Sequence, residues 1–163
     1  MNWLGFMVQN LVLPEETVLD CGCGIMQAMD DLKCKSILGC DIWPTYLSRI
    51  SKLHPTVRIT MSELDRFVDN SYDVVLCLDV LEHLDQELAL KVLEEMKRIC
   101  RKKAIVFTPR KFDSNMESVT NAWDLGECPY QEHKCVIGEP TLNGFGYKIT
   151  DINGEALFGV YSK

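Results

Sequence analysis

The chain has 163 residues, 47% of them hydrophobic and 25% charged, which predicts one domain with a sizeable core and excludes a disordered chain. Its formal net charge of -7 argues against nucleic acid as a partner, because proteins that grip a phosphate backbone carry a basic stripe. The apolar stretch NWLGFMVQNLVL near the N-terminus is too short to span a bilayer and lacks the basic leader and cleavage site of a secretory signal, so no membrane association is expected.

The eight cysteines, Cys21, Cys23, Cys34, Cys40, Cys77, Cys100, Cys128 and Cys135, include no Cys-x-x-Cys pair. They read as small buried hydrophobes in a reducing, cytoplasmic setting rather than as a zinc knuckle.

In chain order, TVLDC (17–21) is a short apolar run ending at glycines, the pattern of a buried parallel strand. KSILGCD (35–41) is a second strand. TYLSRISKL (45–53) has helical spacing, and Pro44 suits a first helical position. TVRIT (56–60) alternates like a strand. YDVVLCLD (72–79), preceded by the turn signal VDNS, is the most apolar strand. DQELALKVLEEMKRICR (85–101) predicts a helix whose apolar face is Leu88, Val92, Leu93, Met96 and Ile99. Its acids lead, and the basic run Lys97, Arg98, Arg101, Lys102 and Lys103 is assigned to its C-terminal end, where cations suit the dipole. KAIVFT (103–108) is a fifth strand, ended by Pro109. Residues 110–145 are rich in Asn, Gly, Pro and aromatics and show no clear period. YKITDINGEALFGVYS (147–162) predicts a hairpin turning at Asn153-Gly154. Alternating β and α units closed by a hairpin imply an α/β fold, a sheet with helices on both faces.

In such sheets ligands bind beyond the carboxyl ends of the strands. Gly22 and Gly24 lie just past the first strand, where the lack of Cβ atoms permits close approach of a ligand. A helix starting after them is expected to offer free N–H groups to an anionic part of that ligand. Asp41 ends the second strand, about twenty residues after Asp20, where a carboxylate accepts ribose hydroxyls. The combination implies a nucleoside-containing cofactor. A dinucleotide site prefers G-x-G-x-x-G, and here the last position is Gln27. Asp20 would also face a pyrophosphate. A sulfonium cofactor has a positive centre and an amino group that welcome a carboxylate, so Asp20 favours S-adenosylmethionine over NAD.

The sequence resembles the class I S-adenosylmethionine-dependent methyltransferases of the small type 11 group, over nearly the whole chain. VLDCGCG resembles the first motif and LGCDIWP the second. FVDNSYDVVLCLDVLEHL (67–84) resembles the fourth-strand stretch, where an acid and a Glu-His pair follow the strand. IVFTPR (105–110) resembles the fifth strand and its exit. The resemblance implies a Rossmann-like, doubly wound, mostly parallel seven-stranded sheet with a C-terminal antiparallel hairpin, residues 1–163 forming a single domain. It implies S-adenosylmethionine as cofactor, S-adenosylhomocysteine as product, and cofactor contacts from Asp20, Gly22, Cys23, Gly24, Asp41, Ile42, Leu78 and Asp79. Two departures stand out. The third glycine of the motif falls at Met26, and the stretch that contacts adenine reads TMSEL, making Ser62 and Glu63 the expected substitutes.

Methyl transfer is an in-line displacement that needs an aligned nucleophile, exclusion of water and removal of a proton. His83 and Asp79, just after the fourth strand, are the candidate catalytic groups. Against this stands a plain role for Glu82 and His83 in capping the helix near residue 85, and the sequence leaves both open. Segment 110–145 is the expected lid over the methyl-accepting substrate, with Glu82, Arg110, Trp123, Tyr130 and His133 as candidate contacts. Asp79, Glu82, His83 and His133 also offer oxygen and nitrogen donors for a divalent ion. Some relatives, certain ubiquinone-pathway O-methyltransferases and small-RNA 2′-O-methyltransferases, use acid-x-x-Glu-His for magnesium, but the motif is common in metal-free members, and no metal is assigned from sequence. The expected function is methyl transfer to an oxygen or nitrogen nucleophile of a small molecule. Rival readings are a non-catalytic cofactor-binding or scaffold subunit that needs a partner, and a protein or RNA methyltransferase. The short N-terminal helix leaves room for a homodimer or a partner subunit.

Overall fold

The structure, a computed structural model, describes residues 2–27, 29 and 31–163. Its centre is a seven-stranded sheet of order β3-β2-β1-β4-β5-β7-β6. The strands are β1 (Thr17–Cys21), β2 (Ser36–Asp41), β3 (Thr56–Arg58), β4 (Tyr72–Leu78), β5 (Cys100–Pro109), β6 (Lys148–Ile152) and β7 (Ala156–Ser162). β1 to β5 run parallel, and β7 inserts antiparallel between β5 and β6. The expected hairpin is present, and its turn residues Asn153 (φ 54) and Gly154 (φ 74) are both left-handed, as a tight turn between twisted strands requires.

Successive strand side chains feed two separate cores. Val74 and Leu76 of β4 and Ile105 and Phe107 of β5 face helices α1 (Trp3–Gln9) and α2 (Pro44–Ile50). Val75, Cys77, Ala104 and Val106 face helix α3 (Gln86–Ile99), which buries Ala89, Val92, Leu93, Met96 and Ile99 completely. Burial on both sides is why β4 and β5 read as unbroken apolar runs. All eight cysteines are free thiols. No helix among the described residues is long and apolar enough to cross a membrane.

Two expectations fail here. Helix α3 ends at Ile99, and Cys100 (φ -69, ψ 144) opens β5 without a loop. Only Lys97 and Arg98 therefore lie in the last helical turn. Arg101, Lys102 and Lys103 belong to β5, where they pair with Asp73 (3.0 Å from Arg101) and with Glu16, 3.1 Å from Lys102 and 3.2 Å from Lys103. Two buried carboxylates at the foot of the sheet demand cations there, and that demand outranks the helix dipole.

The helix expected after the glycines is also absent among the described residues, and residues 28 and 30 lie outside them. Backbone bonds Met26 to Cys23 (2.7 Å), Met29 to Met26 (2.8 Å) and Leu32 to Met29 (2.9 Å) make a run of turns instead. Met26 adopts φ 54. Its side chain leaves the loop and is buried against β2, where Gly39 makes room: a Cβ on Gly39 would stand 3.1 Å from the Met26 sulfur and 2.8 Å from Cys23 Sγ. The missing third glycine is thus accommodated by another glycine on the neighbouring strand.

Within 110–145 lie helices α4 (Met116–Asn121) and α5 (Glu139–Gly144) and 3₁₀ turns at Ala122–Asp124 and Pro129–Gln131. α5 buries Leu142 in the α3-side core, so the segment's end is part of the body of the fold.

Candidate active site

A cleft of about 610 Å³ opens at the carboxyl ends of β1, β2 and β4. Its floor is the stretch after β1, its sides come from Asp41–Trp43 and Leu78–Asp85, and residues between Asn115 and Lys134 cover it. Gly22 has φ +73, and a Cβ there would stand 2.4 Å from Val80 Cγ2. Gly24 has φ +51, and a Cβ would stand 2.9 Å from the Trp123 ring. Both glycines are therefore required by backbone sign and by crowding.

The loop is pinned to β2. Gly22 and Cys23 N–H groups donate to the Cys40 carbonyl at 2.8 and 3.0 Å, and Gly24 N–H donates to Asp41 Oδ2 at 2.9 Å. Asp41 Oδ1 accepts from Trp43 N–H at 2.8 Å. These loop amides are thus engaged, and the cleft floor presents the carboxylates of Asp20 and Asp41. Asp20 is 3% exposed, and burial together with the charge of Asp41 pushes its carboxyl up to about 7. Burial also raises Asp41, although the amides of Trp43, Gly24 and Ile42 oppose the shift.

At the end of β4, Asp79 adopts φ 53, a left-handed conformation uncommon for a residue with a side chain. Its carboxyl reaches the mouth of the cleft and hydrogen-bonds to Glu82. Glu82 is 2% exposed and accepts from Thr108 Oγ1 at 3.1 Å. Desolvation raises the buried Glu82, and the charge of the exposed Asp79 beside it lifts it further, so Glu82 holds the proton of the pair. His83 Nδ1 lies 3.2 Å from the Glu132 carbonyl. Because that partner only accepts, Nδ1 carries the hydrogen. Burial, helped by neighbouring His133, pushes His83 down to about 4. The two imidazoles lie 4.7 Å apart, centroid to centroid.

The structure brings Asp20, Gly22, Cys23, Gly24, Asp41, Ile42, Leu78, Asp79, Glu82, His83, Trp123, Tyr130 and His133 around one cleft. Several play a part other than the one expected. Cys23 turns its sulfur into the core beside Gly39 and shows the cleft little more than backbone. Ser62 and Glu63 do not line the cleft. Glu63 closes a capping box by accepting from Thr60 N–H at 2.8 Å, and the Ser62 hydroxyl sits 2.6 Å from that of Thr60. Thr60 and Met61 take their place on the wall, because the 3₁₀ turn at Met61–Arg66 consumes the polar groups that follow. Arg110 lies away from the cleft, paired with Asp151 of β6. Glu82 is packed beneath the surface by Thr108 and Asp79 rather than held out toward a substrate.

Trp43 and Tyr46 were not expected in the site. Trp43 stands edge-on to Tyr130 at 5.8 Å, and Tyr46 edge-on to Trp123 at 4.9 Å. The indole Nε1–H of Trp43 is buried with no acceptor among the described residues, a donor that a ligand can satisfy. The only signal available was an aromatic residue two positions after the strand-end acid.

A family model described as a methyltransferase domain matches residues 19–108. Among curated proteins, an uncharacterized protein of Methanocaldococcus jannaschii is 32% identical over 114 residues, which are 69% of this chain and 49% of that protein. The chain thus spans about half the length of that relative. A solved structure of a Pyrococcus horikoshii protein matches with a TM-score of 0.72 at 15% identity, covering 98% of this chain and 87% of the other. A SAM dependent methyltransferase from Archaeoglobus fulgidus matches with a TM-score of 0.69 at 15% identity, covering 98% of this chain and 94% of that one. At such identities the structural likeness speaks for the fold.

Proposed function

We propose, given that this chain belongs to the class I S-adenosylmethionine-dependent methyltransferases, that it moves a methyl group onto an oxygen or nitrogen nucleophile of a small molecule. One observation carries the reading: the glycine cradle, Asp41 and the strained Asp79 share a single covered cleft of about 610 Å³, within the range of small-molecule sites. The residues present fit the cofactor. Gly22 and Gly24 let the loop turn left-handed under the cleft, Asp41 offers a carboxylate suited to ribose hydroxyls, Trp43 Nε1–H lacks an acceptor among the described residues, and Asp20 supplies negative charge. When bound, S-adenosylmethionine supplies an electrophilic methyl group on a sulfonium.

Asp79 is the group that takes the proton from the nucleophile. It stands exposed at the end of β4, within reach of a nucleophile in the cleft, and Glu82, held by Thr108, fixes its orientation. His83 is a poor proton acceptor once pushed down to about 4, so the base role moves from His83 to Asp79. The segment carrying Trp123, Tyr130 and His133 lines the same cleft, on the side a substrate must enter. Carboxylates at the floor oppose a polyanionic substrate, which weighs against RNA. The test is S-adenosylhomocysteine formation across a panel of small alcohols, phenols and amines. Turnover on some members is expected, with a loss of about 100-fold in kcat for Asp79→Asn. Cofactor binding without turnover on any member would overturn catalysis in favour of a binding subunit.

Asp20 makes the cofactor site sensitive to pH. Its folded value, about 7, lies above the unfolded one, so the folded state binds the extra proton. The stability this group contributes is full below the unfolded value and falls as pH rises toward 7. Binding of a cationic ligand runs the other way, since ionised Asp20 attracts it. Affinity for S-adenosylmethionine is expected to rise between about pH 6 and pH 8 with release of a proton, visible as a buffer-dependent heat in calorimetry. Asp20→Asn is expected to remove that dependence.

A further inference from the structure

We propose that Trp123 is a stopper on the cofactor site: its indole ring lies on Gly24, on ground the cofactor must take, and S-adenosylmethionine binds only once the ring has moved off. The inference rests on the methyl-transfer reading, which supplies the ligand that is kept out. A Cβ built on Gly24 would stand 2.9 Å from Cη2 of the ring and 3.4 Å from Cζ3. The missing side chain of this glycine therefore opens no space to a ligand, because the ring has taken it. The carboxylate beside it is occupied in the same state, with Asp41 Oδ2 accepting from Gly24 N–H and Oδ1 from Trp43 N–H.

The ring is held there against the preference of its own backbone. Trp123 (φ 53) and Asp124 (φ 55) are both left-handed, a region that a bulky side chain rarely enters. Such strain persists only where surrounding contacts fix it. Two contacts do so here, the ring's seat on Gly24 and its edge-on packing against Tyr46, centroids 4.9 Å apart. Tyr46 is 2% exposed and belongs to the body of the fold, whereas Trp123 is 44% exposed. Lifting the ring therefore relieves the backbone and brings only part of the indole newly into water. The two positions lie close enough in free energy for a ligand to shift the balance between them.

The mounting of the ring suits such a movement. Helix α4, which leads into Trp123, buries none of its residues, and elements with few buried apolar contacts open at low cost. The neck of the loop is closed: His133 N–H donates to the Ser114 carbonyl at 3.2 Å, and Asn115 Nδ2–H to the Gln131 carbonyl at 3.0 Å. The tip is tied to itself, Gly126 N–H to Asn121 Oδ1 at 2.9 Å and Cys128 N–H to the Val119 carbonyl at 2.8 Å. Cys128 is fully buried and fixes the returning side. Movement is thereby confined to residues 115–127, which carry the ring as one piece.

When only a fraction of the molecules is open to a ligand, apparent affinity falls by that fraction, and removing the obstruction restores it. Trp123→Ala, shown folded by circular dichroism, is therefore expected to bind S-adenosylhomocysteine at least about 3-fold more tightly than the wild-type chain in calorimetry. A second readout follows the ring itself. In the wild-type chain labelled with fluorotryptophan, the fluorine resonance of Trp123 is assigned by its loss in Trp123→Phe. Its shift between light and heavy water is expected to grow when ligand saturates the site, because the ring has moved into solvent. Should Trp123→Ala fold poorly, that resonance decides alone. Binding by Trp123→Ala but not by the wild-type chain would support the stopper in its strongest form. A gain under about 3-fold, weaker binding, or a solvent shift that stays level or shrinks on saturation would overturn it and leave Trp123 as a wall of the cleft or a contact of the bound cofactor. No binding by either folded chain would overturn the methyl-transfer reading itself, and the stopper with it.

Discussion

Replacing Asp41 with alanine is expected to weaken S-adenosylmethionine binding by at least about 100-fold, or about 3 kcal/mol, from the loss of charge-assisted hydrogen bonds to the ribose. The same carboxylate also holds the apo loop, accepting from Gly24 N–H at 2.9 Å and from Trp43 N–H at 2.8 Å. Alanine leaves both donors without their partner in a site where Asp41 is 8% exposed. A fall in unfolding free energy of about 1–3 kcal/mol is therefore expected alongside the binding loss. Asp41→Asn separates the two effects. Its amide oxygen still serves one of the backbone donors, while its NH₂ faces the other, so stability should recover in part while binding stays weak. Calorimetry for binding and urea unfolding for stability measure both. Binding within about 3-fold of wild type in Asp41→Ala would mean that the acid at the end of β2 does not hold the nucleoside.

Gly22→Ala is expected to cost about 2–5 kcal/mol of stability, from two separable sources. An L-residue at φ +73 is disfavoured by about 1–2 kcal/mol. The new methyl would also meet Val80 Cγ2 at 2.4 Å and Cγ1 at 2.8 Å, and Val80 is only 7% exposed, so its retreat strains the packing by about 1–3 kcal/mol. Against a total stability of about 5–15 kcal/mol this is a severe loss. Val80→Ala in the same chain removes both clashing carbons. The double variant is expected to recover the steric part and keep the conformational part, a non-additive pair in a double-mutant cycle. Urea unfolding with an unchanged slope reads both numbers. A loss under about 0.5 kcal/mol for Gly22→Ala would show that the loop does not hold the left-handed turn described here.

These two sites were legible before the fold was known, because their signals are local. Gly22 and Gly24 after an apolar run, and an acid ending the next run, follow from strand burial and backbone sterics within a few residues. The β4 stretch, the apolar face of α3 and the Asn153-Gly154 turn were readable for the same reason: period and turn chemistry act over one or two turns of chain.

Tertiary structure alone decided the rest. Met26 could lose its glycine because Gly39, on another strand, leaves space for its sulfur, and no helix follows the loop among the described residues. Glu63 looked available to adenine until the Thr60 amide took it as a cap, and Arg110 looked available to a substrate until β6 brought Asp151 beside it. Trp123 reached Gly24, and His133 reached His83, only because the segment after β5 folds back across the strand ends. Pattern in a sequence reports what each residue prefers among its neighbours in the chain. Partners far along the chain compete for the same polar atoms and the same space, and that competition is settled only when the chain is packed.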